Sequence, residues 1–594
     1  MALENDTMKL KGDHKIPRRQ LIRHLYGFIR PEIWKFLLAM LLIAANVALD
    51  IVLPLLVSKT TDVLTGLTPS SGTQVLLAIV SFTVGYFILA VSNQVLRAAE
   101  TLLLQHTGQK IIYNLRMRVF THIENMSQHQ FTEMPVGSLV TRVASYTSSM
   151  SELFTTTLVQ MLRNILTIVG VLIIMIILSP VLAGFLSIII VVLFIASMIF
   201  NRYISGAFAK ERGYLSDLNT FLSENLSGMK ITQIFNQEKR KENQFNEKNN
   251  AYYHSRIKLM LGFGIYRPFV SFLYFGAIAL TFYVGLRIEL SGGLIVGFYL
   301  YLSRFFNPIQ ELADQLNSLQ KAKTASERLF NLLEVKPEVL DKPTARDIDH
   351  FEGKIEFKNV WFAYNKEEWI LRDVSFVIDP KTTVAFVGPT GSGKTTILSL
   401  IVRNYEIQKG QILIDDIDIK DITITSLRRA VGQMLQDVFL FSGTIKTNIC
   451  LHDETFTDEQ IKEACEYVNA DKFINKLPKQ YEEEVIERGE NFSQGQRQLL
   501  SFARTVLHQP QILILDEATA NIDTETEVLI QESLEKMKSI GTMLVVAHRL
   551  STIQKCDQIF VLQEGVIIER GNHQALLKQK GFYYKLYQLQ FEDN

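Results

Sequence analysis

The chain has 594 residues, of which 47% are hydrophobic and 21% charged, and its 61 basic residues balance 61 acidic ones. This length indicates several domains and excludes a disordered chain or a small disulfide-stapled fold, and the apolar composition favours a membrane protein. A net charge of zero argues against nucleic acid as the partner. The three cysteines, Cys450, Cys465 and Cys556, lack metal-ligand spacing and predict reduced thiols on the cytosolic side.

Six nearly charge-free segments of about twenty residues predict transmembrane helices that place the chain in a lipid bilayer. They are Phe36–Ser58, Val75–Leu96, the two halves of Asn164–Asn201, Phe269–Leu286 and Leu290–Gln310. Ser179 and Pro180 divide the double-length segment, because proline interrupts a helix. Asp50 and Arg304 are charges at membrane depth, so we expect them to face a cavity or each other; snorkelling of Arg304 is the alternative.

Basic residues concentrate on one side of these spans. They are frequent between Lys9 and Lys35 and after the second and fourth spans, whereas the proposed outer loops hold little more than Lys59 and Arg287. The positive-inside rule therefore predicts a multi-pass protein of the cell membrane with both termini cytoplasmic. No signal peptide is recognisable. Residues 18–35 predict a helix along the inner membrane surface, with a solvated leader as the alternative.

Composition divides the chain into four predicted parts. The fold class is a membrane α-helical domain, with six transmembrane helices that extend into the cytoplasm, followed by an α/β nucleotide-binding domain of the P-loop type. The parts are an N-terminal cytoplasmic or interfacial segment (1–35), the transmembrane domain with two intracellular loops (36–325), a linker (326–350) and the α/β domain (351–594). Pro135, Gly137 and Gly228 interrupt the two long intracellular connections.

A phosphate-binding loop lies between a predicted strand and a predicted helix. The apolar strand 384–387 runs directly into Gly388, Pro389, Thr390, Gly391, Ser392, Gly393, Lys394, Thr395 and Thr396. Its glycines let backbone N–H groups surround phosphate oxygens at a helix N-terminus. Lys394 would reach the terminal phosphates and the Thr395 hydroxyl would hold Mg²⁺. A chance match is the alternative, and the position between strand and helix disfavours it.

Two further strand ends carry polar residues. The strand 512–515 ends in Asp516 and Glu517, and the strand 543–547 ends in His548. Nucleotides bind at the carboxyl ends of parallel strands, so Asp516 is expected to bind Mg²⁺, directly or through water, and Glu517 to polarise the attacking water. His548 is placed to sense a γ-phosphate, although a lone histidine is more often structural.

These motifs, with six spans before them, resemble the ATP-binding cassette (ABC) family over essentially the whole chain. The family's other motifs are matched by Tyr364, which would stack on adenine, by the loop glutamine Gln436, by Ser493, Gly495 and Gln496 of the signature, and by Asp523. The resemblance implies ATP and Mg²⁺ as cofactors. It assigns catalysis to Glu517, His548 and Gln436, and Mg²⁺ binding to Thr395, Gln436 and Asp516.

The resemblance is to a half-transporter of the exporter type, an ATPase coupled to transport. Residues 487–489 resemble the exporter loop that contacts the intracellular helices. The tips near 139–146 and 224–230 would be the two coupling helices, although Tyr146 stands where the family often has Asp. Import is disfavoured because the membrane domain is fused ahead of the cassette, and the spans exclude a soluble cassette protein.

One departure from the family pattern concerns the partner. The signature reads Phe-Ser-Gln-Gly-Gln over residues 492–496, with Gln494 in place of a glycine. In the family this signature serves the ATP bound to the opposite subunit, and a side chain there would weaken closure on phosphate. We therefore expect a second, different ABC half as partner; a homodimer that tolerates Gln494 is the alternative.

The substrate is the least constrained feature of the sequence. The spans are rich in aromatic residues, which would suit small amphipathic compounds but equally suit lipid contact or helix packing. By resemblance we expect multidrug-type export. The alternatives are a lipid or peptide exporter of the same architecture, or a nucleotide-gated membrane protein without turnover, which an intact Glu517 and His548 disfavour.

Overall fold

The computed structural model describes residues 17–66, 72–365, 368–434, 437–516, 524–546 and 550–592. Four predicted site residues, Gln436, Glu517, Asp523 and His548, lie outside these ranges. The chain divides into two compact units. The first is Met1–Glu124 with Val136–Val335, and the second is Asn125–Pro135 with Lys336–Asn594.

The described part of the first unit is built of helices. In chain order the first eleven helices are α1 (Arg18–Ile29), α2 (Ile33–Gly66), α3 (Gly72–Glu124), α4 (Gln128–Thr132), α5 (Val136–Thr141), α6 (Thr147–Glu152), α7 (Leu158–Leu178), α8 (Pro180–Ser227), α9 (Met229–Ile234), α10 (Glu238–Arg287) and α11 (Gly292–Glu334). All except α4 belong to the first unit. A 3₁₀ turn, Arg30–Glu32, precedes α2, and π-helical segments, Arg142–Tyr146 and Leu153–Thr157, flank α6.

Five helical stretches among the described residues are long and apolar enough to cross a membrane. They are Tyr26–Thr65, Ile79–Glu124, Val136–Leu178, Pro180–Ser227 and Glu238–Arg287. The sixth predicted span forms the first part of α11 but is not among them, because Arg304 and Asn307 interrupt its apolar run. Phe298 and Tyr301 on α11 are fully buried, which indicates that this helix packs against other helices.

The predicted helix breaks at Ser179-Pro180 and Gly228 are confirmed, whereas Gly137 lies inside α5, which begins directly after Pro135. Helix α7 ends at Leu178 and α8 begins at Pro180, with the Ser179 side chain accepting a hydrogen bond from the Leu182 backbone N–H. Gly228 ends α8. As expected, α3, α8, α10 and α11 run far beyond the length of a membrane span, at 53, 48, 50 and 43 residues.

The second unit combines strands and short helices. Its strands are β1 (Ile355–Ala363), β2 (Trp369–Ile378), β3 (Thr383–Val387), β4 (Lys409–Ile414), β5 (Ile417–Asp418), β6 (Val431–Met434), β7 (Gly443–Thr444), β8 (Glu484–Val485), β9 (Ile512–Asp516), β10 (Thr542–Val546), β11 (Gln558–Gln563) and β12 (Val566–Gly571). Its later helices are α12 (Lys394–Ile401), α13 (Ile424–Ala430), α14 (Ile445–Cys450), α15 (Asp458–Tyr467), α16 (Asp471–Ile474), α17 (Gln494–Leu507), α18 (Thr524–Met537), α19 (Leu550–Ile553), α20 (His573–Gln579) and α21 (Phe582–Glu592). Short 3₁₀ turns lie at Gln480–Glu482 and Glu487–Gly489.

The central sheet of the second unit has the strand order β12-β11-β3-β10-β9-β6, and a second sheet has the order β2-β1-β4-β5. Strand β3 is buried on both faces, as strands of parallel sheets usually are. Val384 and Phe386 pack into one hydrophobic cluster, and Ala385 and Val387 into the other. The strand that leads into the phosphate loop is therefore held by core packing on each side.

The segment Asn125–Pro135 belongs to the second unit although it lies between helices of the first. Ser127 caps α4 and also donates a hydrogen bond to Glu338. The Gln130 side chain donates to the Lys336 carbonyl at 2.8 Å, and His129 Nδ1 lies 3.1 Å from Glu338 Oε2. The segment is therefore part of the second unit through long-range contacts that carry no local sequence signal. The coupling helices expected near 139–146 and 224–230 stay predictions.

Candidate nucleotide-binding site

Three neighbouring parallel strands bring the predicted site together at one edge of the central sheet. Strand β10 pairs with β3 and with β9, and Val546 is in register with both Phe386 and Asp516. The phosphate loop follows β3, and Asp516 is the last residue of β9. The chain leaves β10 at Val546, two residues before His548, which lies outside the described residues. Carboxyl ends of adjacent parallel strands meet at a common edge, where α/β folds bind ligands.

Lys394 is the first residue of α12 and is held by the phosphate loop itself. Its Nζ donates hydrogen bonds to the carbonyl oxygens of Gly388, at 2.8 Å, and Pro389, at 3.0 Å. The side chain is only 6% exposed. Burial lowers the pKa of Lys394, and the nearby Asp516 carboxylate partly opposes that shift. The loop therefore presents a buried ammonium group, close to a carboxylate, at the N-terminus of a helix.

The loop backbone requires glycine at two positions. Gly393, at φ +101°, adopts a left-handed backbone conformation that would be strained for any residue with a side chain. A Cβ on Gly388 would overlap the Leu562 carbonyl oxygen. Between them, the Ser392 hydroxyl is buried and has no hydrogen-bond partner among the described residues. A buried hydroxyl without a protein partner normally binds a ligand or water. The position of Ser392 in the loop fits a hydrogen bond to a bound phosphate group.

The loop tip faces solvent. Pro389, Thr390 and Gly391 are exposed, and so is Thr395, the second residue of α12. Thr396 is buried, and its hydroxyl lies 3.1 Å from that of Tyr364. The structure thus places the predicted adenine-stacking tyrosine beside the phosphate loop.

Tyr405 is a contact of this site that the sequence did not indicate. Its ring lies edge-on to Tyr364, with centroids 5.0 Å apart, and 5.9 Å from the His129 ring on α4. Burial is the main cause of a raised pKa at Tyr405, with smaller contributions from Tyr364 and Glu338. No local motif marks Tyr405, because its role depends on contacts with residues far apart in the chain.

The signature sequence lies at a helix N-terminus of its own. Ser493 caps α17: its side chain accepts a hydrogen bond from the Gln496 backbone N–H, and the Gln496 side chain accepts one from the Ser493 N–H. Gln494 is the first helical residue, and Gly495 is buried. Helix α17 packs against α14, α15, α18 and β6, none of which carries the phosphate loop.

Four predicted residues cannot be placed in this geometry. Gln436 follows β6 and lies two residues beyond Met434, which is paired with Leu515 of β9. Glu517 and Asp523 follow β9. These residues and His548 lie outside the described ranges, although the strands that precede Gln436, Glu517 and His548 are neighbours in one sheet.

A helical unit with membrane-spanning helices, joined in one chain to an α/β unit with a phosphate loop, defines a membrane transporter with its own ATP-binding domain. Family models agree: residues 36–309 match the ABC transporter transmembrane region, and residues 371–520 match the ABC transporter domain. The chain belongs to the ABC exporter family and is an ATPase coupled to transport. ABC exporters work as dimers.

Two relatives and one solved structure illustrate the match. The chain is 38% identical to the probable multidrug resistance ABC transporter ATP-binding/permease protein YheH of Bacillus subtilis, over 82% of this chain and 73% of the relative. It is 33% identical to an ATP-dependent lipid A-core flippase of Syntrophus aciditrophicus, over 83% of each. A bacterial Atm1-family ABC exporter with ATP bound matches with a TM-score of 0.78 and 27% identity, over 95% of this chain and 98% of that one.

Proposed function

We propose that the chain is one half of a dimeric exporter that uses ATP hydrolysis to move amphipathic compounds across the cell membrane, with its termini and second unit in the cytoplasm. The observation that carries the proposal is the common sheet edge at which the phosphate loop, Lys394 and Asp516 meet. The spanning helices of the same chain supply the path that ATP binding and hydrolysis would act on.

The residues at the sheet edge have defined roles in this proposal. Backbone N–H groups of the loop and the Lys394 ammonium group bind the phosphates, and Tyr364 stacks on adenine. Thr395, Gln436 and Asp516 would hold Mg²⁺, which prefers such oxygen ligands; the bound ion offsets phosphate charge. Glu517 orients the attacking water, and His548 and Gln436 contact the γ-phosphate region.

The second subunit is proposed to be a different chain. Ser493, Gly495, Gln496 and Asp523 would contact the ATP bound to that partner. Gln494 begins α17 where the family has glycine, so its side chain lies at the helix N-terminus that approaches the partner's nucleotide. The dimer would then contain one fully active site, on Lys394, and one impaired site on the partner.

Multidrug-type export is the substrate proposal, supported by the similarity to YheH. A lipid exporter is the second candidate, because the chain is also similar to a lipid A-core flippase. The two candidates share an amphipathic substrate and differ in its size.

The test is ATP-dependent transport by the full chain, purified from its host membrane with any accompanying subunit and reconstituted into vesicles. We expect Glu517→Gln to abolish turnover and transport while ATP binding persists. The subunit composition of the same preparation tests the asymmetry. A complex of two identical chains with equal hydrolysis at both sites would contradict the heterodimer, and full turnover by Glu517→Gln would contradict the catalytic assignment.

A further inference from the structure

The first unit contains a polar cavity inside its helical bundle. Its volume is about 550 Å³. Helices α2, α3, α6, α7 and α11 contribute to its wall. Its lining includes Arg97, Glu152, Gln160, Asn164, Glu311 and Gln315. We call this space the polar cavity. Asp50 and Arg304, which lie inside the predicted spans, also line it, and charges at membrane depth are costly and normally mark a functional route.

A second space adjoins the polar cavity. It also measures about 550 Å³, and its wall includes the apolar side chains Leu53, Tyr86, Phe87, Val91 and Val95. We call it the apolar groove. Asp50 and Arg304 line both spaces. A charged pair therefore stands at the boundary between a polar compartment and an apolar one, which is the arrangement that an amphipathic molecule matches.

Asp50 and Arg304 are hydrogen-bonded to each other but remain partly exposed. Arg304 Nη1 donates to Asp50 Oδ1 at 3.3 Å, and the Asn93 side chain donates to the same oxygen at 2.8 Å. The Asn93 carbonyl in turn accepts from Asn46, which is 1% exposed. The Arg304 and Asp50 side chains themselves are 29% and 33% exposed. A ligand entering either space can reach both charges.

Gln315 is the second independent sign of a binding site. It lines the polar cavity, is 5% exposed, and neither its amide nitrogen nor its amide oxygen has a hydrogen-bond partner among the described residues. Buried polar groups in folded proteins are almost always hydrogen-bonded. One donor and one acceptor on the same side chain are therefore available to water or a polar group in the part of the cavity that lies about 16 Å along α11 from Arg304.

The charges of the polar cavity indicate which polar molecule fits. Its described lining holds three arginines and three carboxylates: Arg97, Arg163 and Arg304, and Asp50, Glu152 and Glu311. A purely cationic ligand that paired with Asp50 would leave Arg304 without its counter-charge, and a purely anionic one would do the reverse. Leaving one charge of a partly buried pair without its partner is unfavourable. A head group that carries both signs can replace both partners at once.

We propose that the polar cavity and the apolar groove together bind a zwitterionic amphipath, with its head beside Asp50 and Arg304 and its hydrocarbon part in the groove. This inference rests on the proposed export function and names the head-group class of the substrate. The apolar groove includes Phe87, whose side chain is 67% exposed in the single chain and can contact the hydrocarbon part.

The experiment compares four amphipaths with hydrocarbon chains of the same length in vesicles that contain the full transporter. They are a lysophosphatidylcholine (zwitterionic), a lysophosphatidylglycerol (anionic), an alkyltrimethylammonium (cationic) and a monoacylglycerol (uncharged). ATP-dependent movement of each radiolabelled compound gives KM and kcat. We expect a kcat/KM for the zwitterion about tenfold or more above the other three, the ratio that about 1.4 kcal/mol of differential binding gives.

Variants test whether Asp50 and Arg304 cause the preference for the zwitterion. Asp50→Asn and Arg304→Gln should each raise the KM for the zwitterion about tenfold or more, because each leaves one charge unpaired. The double variant should transport the uncharged amphipath best. Arg256→Gln is the matched control, since Arg256 forms a similar pair with Glu211, at 3.1 Å, on helices α8 and α10 and outside both spaces. It should leave the KM unchanged.

The outcomes separate this inference from the proposed function. Equal transport of all four compounds, or equal KM changes in Arg304→Gln and Arg256→Gln, would overturn the zwitterion site while export itself stands. If none of the four moves although ATP is hydrolysed, export of amphipaths by this chain is also wrong.

Discussion

Arg328 on α11 donates a hydrogen bond of 2.6 Å to the Tyr146 hydroxyl, and its guanidinium carbon lies 5.8 Å from the centre of the Tyr146 ring. Tyr146 ends the π-helical segment Arg142–Tyr146, and Arg142 donates in turn to the Arg328 carbonyl oxygen. The Tyr146 phenol supplies both an acceptor and an aromatic face to Arg328, so the segment is attached to α11 at two points.

The Tyr146 contact predicts a stability effect. Tyr146→Phe removes the acceptor but keeps the ring, so we expect a loss of about 1.5 kcal/mol, at the lower end for a hydrogen bond to a charged group because the pair is only partly buried. Thermal unfolding of the purified protein should show a lower midpoint, and Tyr146→Asp should restore part of the loss. Tyr113→Phe, at an exposed position, is the control. Equal midpoints for Tyr146→Phe and Tyr113→Phe would show that the hydroxyl contributes nothing.

A single methyl group added at Gly388 should disrupt the phosphate loop. Gly388→Ala should prevent the loop from forming, because its Cβ would overlap the Leu562 carbonyl oxygen. We expect ATP binding to fall about a hundredfold, the effect of roughly 2.7 kcal/mol of lost binding. Gly213→Ala is the matched control, since a Cβ there meets nothing within 4 Å. Nucleotide binding by equilibrium titration measures both, and near-normal binding by Gly388→Ala would contradict the observed backbone.

The buried ammonium group of Lys394 predicts a pH dependence of ATP affinity. Burial lowers the pKa of Lys394 below its ordinary value of 10.5. The charged form binds phosphate, so affinity is full below the lowered pKa and is lost as the pH rises through it. Titrations from neutral to alkaline pH should therefore show weakening that begins below pH 10.5. Lys394→Arg should bind more weakly at neutral pH but lose this dependence, since arginine stays charged. If Lys394→Arg showed the same pH profile as the wild type, a group other than Lys394 would be responsible for the pH dependence.

The burial of Cys465 predicts slow chemical modification of its thiol. Cys465 is fully buried, and burial raises its pKa to about 12. The thiolate is the reactive form, so at neutral pH iodoacetamide should not alkylate Cys465 in the folded protein and should do so once it is denatured. Peptide mass spectrometry measures the labelling. Fast labelling of native Cys465 would mean that helix α15 opens readily.

Local patterns predicted several features correctly because each depends on residues close together in the chain. The Ser179-Pro180 break follows from the backbone chemistry of proline. The phosphate loop follows from glycines placed between an apolar strand and a helix. The spans follow from the length of nearly charge-free segments: five lie in helical stretches long and apolar enough to cross a membrane, and the sixth lies in the first part of α11.

Only the tertiary structure decided the contacts that cross the chain. The sequence placed Asp50 and Arg304 at membrane depth and left open whether they pair; their hydrogen bond joins residues 254 positions apart. The hydrogen bond from Gln130 to the Lys336 carbonyl oxygen, across 206 positions, helps to make α4 part of the second unit. Such contacts follow from the packing of whole helices, and no spacing of neighbouring residues encodes them. The sequence by itself therefore determined the position of the phosphate loop between a strand and a helix, and the fold determined which charges of the membrane helices pair.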